Sequence, residues 1–192
     1  MIQFAGCGLD NVYLKDGFKT MEFKGGKAYS YVDIKGLYLA IGRSLALSRH
    51  PLSGREFRFL RNALQWSQTE AGATLDKTCQ AVAKWEKGVN PVARADGHVI
   101  RLAWLRRFDQ GSIVRMVNGM FGDHPARSVD AYIFSRIEGV WTSVDHDWPV
   151  LDRLSAVQRV DVSGDAQLTV DSDDSVYEID AQNEYALEEL MP

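Results

Sequence analysis

The side chains best suited to chemistry are gathered in one stretch, EFRFLRNALQWSQTEAGATLDKTCQAVAKWEKGVNP, residues 56–91. Ser67 has the short hydroxyl that caps a helix by accepting from a backbone N–H in its first turn. Gln68 then stands at a helix N-terminus, where free N–H groups and the peptide dipoles favour a phosphate. Its amide is also placed to touch the following helix or a base. Thr78 is a second capping residue, ahead of a helix expected from Cys79 to about Lys87. Within that helix Val82 and Trp85 are three apart and share a core-facing side. Cys79, Gln80, Ala83 and Lys84 fall on the remaining face. Gln80 can pair through two hydrogen bonds with adenine, and Lys84 can donate to guanine or to a phosphate. Gly88 supplies the left-handed residue that stops the helix.

Charge supports a nucleic-acid partner for this stretch. The 192-residue chain has a net charge of −4, but that charge is unevenly distributed. Residues 1–42 carry a net +1, residues 43–115 a net +7, and residues 116–192 a net −12. A basic block joined to an acidic one is the pattern of a nucleic-acid module attached to something else. The acidic part has the sign needed to fold back on the basic block as an autoinhibitor.

Over residues 56–91 the chain resembles the XRE (Cro/repressor-type) helix-turn-helix family, whose first helix carries LRxxxxxSQ and whose third ends in WExG. Leu60-Arg61, Ser67-Gln68, Val82 and Trp85-Glu86-Lys87-Gly88 stand at the family spacing. The resemblance implies a sequence-specific DNA-binding transcriptional regulator, with DNA contacts from Gln68, Thr69, Lys77, Thr78, Cys79, Gln80, Ala83 and Lys84. In it the face of Cys79, Gln80, Ala83 and Lys84 enters the major groove. It also implies a structural ion pair between Arg61 and Glu86. The chain departs from the family in having Ala71 where a large aliphatic is usual and Gly72 in place of alanine. Gly72 lowers helix propensity by up to about 1 kcal/mol. Asp76 replaces the usual turn glycine and tolerates the left-handed conformation better than most residues.

Through CGLDNVYLKDGF, the LxxAI-like segment Leu37–Ile41, SGREFRFLR and ADGHVIRLAWL, the chain also resembles, over roughly residues 4–107, bacterial regulators related to the MqsA/YgiT-type antitoxins. Those carry paired CxxC motifs in an N-terminal zinc ribbon; here only Cys7 occurs in that region. Cys79 lies far from it, so neither a zinc ligand set nor a disulfide framework is expected. No metal and no cofactor is therefore anticipated. Two functions follow from the resemblance. One is a repressor that binds a palindromic operator of double-stranded DNA as a homodimer and autoregulates its operon. The other is an antitoxin that also binds a protein partner, such as a toxin, through its N- or C-terminal region. An enzyme is not expected, because nucleophile motifs, phosphate loops and HExxH are missing from the sequence. Asp123-His124 and Asp145-His146-Asp147 read as solvated turn residues, and Trp141 and Trp148 as core or interface residues.

The elements that must position these groups divide the chain into three regions of an α+β protein. Residues 1–50 are expected to form a β-hairpin and a helix. VYL and FKTMEF flank a turn at Lys15-Asp16-Gly17, and KAYSYVDI reads as a further strand. GLYLAIGRSLALSR then sets Leu37, Ile41, Leu45 and Leu39 on one helical stripe, ended by His50-Pro51. Residues 51–118 form an all-α helix-turn-helix domain whose last helix stacks Val99, Leu102, Leu105 and Phe108. Residues 119–192 form an acidic, antiparallel β-rich C-terminal domain. It begins with AYIFSRI and VWTSV around Glu138-Gly139 and continues through RVDVSG, AQLTV and SVYEID. Dimer contacts are expected from the helix around Val99–Phe108 or from these strands. A composition of 45% hydrophobic residues is ordinary for a globular chain. No apolar run is long enough for a bilayer and no signal-peptide pattern is present, so a soluble cytoplasmic protein is expected.

Overall fold

A computed structural model of the chain describes residues 1–23, 26–120 and 130–144. The fold is α+β. Among the described residues six helices, α1 Ile34–Leu47, α2 Gly54–Ala63, α3 Gln68–Leu75, α4 Cys79–Glu86, α5 Arg94–Phe108 and α6 Ile113–Met120, stand with six strands. The strands are β1 Ile2–Gln3, β2 Val12–Leu14, β3 Phe18–Phe23, β4 Gly26–Tyr31, β5 Tyr132–Ile137 and β6 Val140–Ser143.

The larger sheet has the order β1-β2-β5-β6. β1 and β2 are antiparallel, as are β5 and β6, but β2 and β5 run parallel with Val12 opposite Tyr132 and Leu14 opposite Phe134. Parallel neighbours need a long crossover. All six helices lie between β2 and β5 in sequence, so the helical segment is that crossover. The strands at AYIFSRI and VWTSV thus form as expected around Glu138-Gly139, whose positive φ values of 51° and 83° suit a tight hairpin turn. They join the N-terminal strand β2 rather than standing apart from it. The segments RVDVSG, AQLTV, SVYEID and NEYALEELMP, with Asp123-His124, Asp145-His146-Asp147 and Trp148, lie outside the described residues.

The N-terminal hairpin differs from the expected one. VYL and FKTMEF do not pair with each other; β3 pairs with β4, in a separate two-stranded sheet. Lys15-Asp16-Gly17 instead carries the chain from one sheet to the other. The Asp16 carboxylate accepts from the Ser135 hydroxyl and the Arg136 N–H, both at 2.5 Å, which ties this crossing to β5. Gly17 has φ 77°, and a Cβ there would lie 2.3 Å from the Trp141 ring. Trp141 is buried and donates its indole N–H to the Val32 and Asp33 carbonyls. Turn chemistry alone cannot reveal a partner contributed by a strand more than a hundred residues away.

In α1, Leu37, Ile41 and Leu45 are fully buried, whereas Leu39 is 36% exposed and off the stripe. Asp33 caps this helix by accepting from the Gly36 N–H at 3.0 Å. The stripe of α5 is also rotated from expectation. Leu105 is buried, Leu102 and Phe108 are half-buried, and Val99 is 41% exposed. The buried face is carried by Ile100, Arg101, Trp104 and Leu105. Arg101 explains the shift, because its guanidinium donates to the Leu45 and His50 carbonyls and to the Ser48 hydroxyl, at 2.6–3.1 Å. It thereby satisfies backbone acceptors around the C-terminal end of α1. A hydrophobicity pattern counts Arg101 as surface, although it is buried beside Ile100, Trp104 and Leu105.

A buried polar cluster ties β5 to the helices. The Tyr132 hydroxyl donates to Glu56 at 3.1 Å, and His50 Nε2 lies 3.1 Å from the same oxygen. Burial pushes the Glu56 carboxyl up, but hydrogen bonds from His50 and the Ser53 N–H outweigh it and leave the carboxyl below its usual range.

Candidate nucleic-acid interface

Three short helices build the site, and each begins or ends on a side-chain device. α2 starts at a reciprocal cap: Ser53 Oγ accepts from the Glu56 N–H while the Glu56 carboxylate accepts from the Ser53 N–H. It ends with Gln65 at φ 57°, the Gln65 N–H reaching the Asn62 carbonyl and the Trp66 N–H the Arg61 carbonyl. Ser67 caps α3 as expected, and its hydroxyl and N–H form a second reciprocal pair with Glu70. These bonds from Ser67 hold the Glu70 carboxyl below its ordinary value.

The turn between α3 and α4 is three residues, Asp76-Lys77-Thr78. Asp76 takes φ 54° in the left-handed region, the position the sequence assigned to a tolerant aspartate. Thr78 caps α4, accepting from the Ala81 N–H at 3.2 Å. Gly72 proves to be required by packing, because a Cβ there would stand 2.7 Å from the Lys77 carbonyl oxygen. The close approach of the turn to α3 is thus bought with a weaker helix former. Gly88, at φ 70°, follows the end of α4.

α4 has two distinct sides. Val82 and Trp85 are buried, with the Trp85 ring edge-on to Phe57 at 5.5 Å between centroids. Gln80 and Lys84 are exposed, and Cys79 and Ala83 are half-buried. Thr69, Lys77 and Thr78 are exposed around the same helix pair. The Lys77 ammonium is anchored locally, 3.2 Å from the Leu75 carbonyl, 3.3 Å from that of Asp76 and 3.9 Å from the Asp96 carboxylate. Such a cation suits the C-terminal end of α3.

Arg61 and Glu86 form an ion pair between α2 and α4. Arg61 Nε lies 2.5 Å from Glu86 Oε1 and Nη2 lies 3.2 Å from Oε2, with the side chains only 9% and 5% exposed. Arg61 also donates to the Trp66 carbonyl. Gln68, half-buried, donates its amide to Glu86 at 2.8 Å, so the two sequence-derived groups are one network. Gln68 thereby braces α3 against α4. Lys87, at the C-cap of α4, is also exposed.

A cleft of about 820 Å³ lies between Leu9–Asn11, the start of α2 and the end of α4; Glu56, Glu86 and Lys87 are among its walls. None of the expected DNA-contacting side chains lines it. Cys7 and Cys79 are free thiols, and burial pushes the Cys7 thiol up to about 12. Among the described residues no group of three or more His, Cys, Asp or Glu side chains is placed to hold a metal ion. No described helix is long and apolar enough to cross a membrane. No family model matches the chain, and no curated protein or solved structure matches it significantly.

Proposed function

We propose that the chain is a sequence-specific DNA-binding transcriptional regulator that reads bases through α4 and represses its own operon. The observation that carries this reading is the two-sided character of α4. One side is sealed into the core by Val82 and Trp85, while the other offers an amide and an ammonium, Gln80 and Lys84, with small neighbours at Cys79 and Ala83. Small residues between long polar ones allow close approach to base edges in the major groove, which admits one α-helix. The α3 N-terminus supplies a phosphate-facing end beside it.

A homodimer on a palindromic operator fits the same reading, with half-sites about one helical turn, roughly 34 Å, apart. Val99 on α5, Val114 on α6, and Ile137 and Val140 at the β5–β6 turn are exposed apolar side chains suited to a subunit contact. The test is fluorescence anisotropy on the DNA upstream of the gene against scrambled DNA, at about 150 mM salt so that non-specific binding is weakened. The Gln80→Ala/Lys84→Ala variant runs in parallel, with circular dichroism to verify its fold. Binding to upstream DNA alone, weakened by the loss of two base contacts worth roughly 1–3 kcal/mol each, is expected. A folded variant that binds as well as the parent, or a parent that binds neither DNA, overturns the assignment of α4.

A further inference from the structure

A second site stands apart from α4. Where α1 ends, α5 begins and α6 passes, a small cavity of about 110 Å³ is walled by Arg49, Arg94, His98 and Arg115, with Ser48 and Met116. Among the described residues its lining contains no carboxylate. Among the described residues Arg49, Arg94 and Arg115 take part in no ion pair. Asp96, the acidic residue in the first turn of α5, is spent on Lys77 and does not line the cavity. His98 Nδ1 is shut off from solvent and has no hydrogen-bond partner among the described residues. Burial and the charges of Arg101 and Arg94 push the His98 imidazole below its ordinary value, as expected where positive potential is left uncompensated.

We propose that this cavity binds a phosphate group, with Arg49, Arg94 and Arg115 as its charged donors and the His98 ring in its wall. Three guanidinium groups around one space repel each other until an anion enters, and guanidinium forks match a tetrahedral oxyanion through paired N–H bonds. The volume holds a few waters, each taking about 30 Å³, and so one phosphate. α5 also starts there on Ala93, which gives no side-chain cap, so its positive end is open to an anion. Met116 and the half-buried Leu47 and Met120 form the apolar floor and wall, which strengthens charge pairing by keeping water away. The group can belong to a small phosphorylated ligand or to a DNA backbone; the site does not depend on base reading by α4.

The test uses the full chain, isotopically labelled, with the imidazole signals of His98 assigned through His98→Asn. Inorganic phosphate is titrated to about 20 mM against chloride of equal ionic strength, and a mixed-sequence DNA duplex is titrated separately. A saturable shift of the His98 signals with phosphate is expected, weakened roughly tenfold in Arg94→Gln and Arg115→Gln. Both residues are exposed, so neither change removes packing that the fold needs. If the two variants also lose duplex affinity equally for all sequences, the phosphate is that of DNA; if duplex affinity is unchanged, it is that of a small ligand. A saturable shift that both variants retain, or no saturable shift with phosphate and with duplex alike, overturns the proposal.

Discussion

Replacing Glu86 with alanine tests the device that locks α2, α3 and α4 together. The carboxylate is 5% exposed and accepts from Arg61 Nε, Arg61 Nη2 and Gln68 Nε2. Removing one partner of a buried pair typically costs about 3–5 kcal/mol, because the surviving charge is left in a poor solvent. Arg61 keeps its bond to the Trp66 carbonyl, and Gln68 is half-buried and can recruit water. The lower end, about 3 kcal/mol, is therefore expected, with a melting temperature lower by roughly 6–12 °C for a chain of this size. Arg61→Met/Glu86→Leu removes both charges and fills their space with apolar groups, so it is expected to lie within about 1 kcal/mol of the parent. Urea unfolding of the parent, Arg61→Met, Glu86→Leu and the pair gives the coupling energy directly. A loss under about 1 kcal/mol in Glu86→Ala, or a double variant as unstable as the two singles added, would refute the reading of a buried, mutually dependent pair.

Other positions give smaller and differently signed effects. Gln65→Gly relieves a left-handed residue at the end of α2 and should stabilise the chain by roughly 0.5–1 kcal/mol in thermal unfolding, the relief being partly offset by glycine's unfolded-state entropy. Gly72→Ala tests packing against propensity: alanine gains about 1 kcal/mol as a helix former, yet its Cβ meets the Lys77 carbonyl at 2.7 Å. A net loss of about 1–2 kcal/mol is expected, and a gain would show that the α3–α4 turn shifts freely. Glu56 has a folded-state pKa below its ordinary value of 4.5. Its ionised form is thus favoured by folding, so its contribution is complete above pH 4.5 and is lost as pH falls through the lower folded value. Urea midpoints measured from pH 7 down to pH 3 should fall below pH 4.5 in the parent and less steeply in Glu56→Gln; equal slopes would exclude Glu56 as a source of acid sensitivity.

Much of the site was legible because its signals are local. A cap such as Ser67 or Thr78 acts within three residues, and the period of Val82 and Trp85 reports the buried side of one short helix without reference to anything else. Arg61 and Glu86 are 25 residues apart, and only the resemblance to a known spacing made their pairing an expectation. The α+β class, the breaks between α2, α3 and α4, and the β5–β6 hairpin followed from periodicity and turn residues in the same way. What tertiary structure decided was every choice involving a distant partner. Arg101 is buried because its guanidinium meets the end of α1, a partner that no hydrophobicity pattern shows. Gly17 crosses between sheets under the Trp141 ring, and β5, the parallel partner of β2, lies on the far side of the whole helical crossover in sequence. The arginines of the phosphate-sized cavity are likewise scattered along the chain at 49, 94 and 115, and only the packing of α1, α5 and α6 brings them to one wall. Local sequence determines backbone preference and amphipathic period, whereas which faces meet depends on long-range contacts that no window of sequence contains.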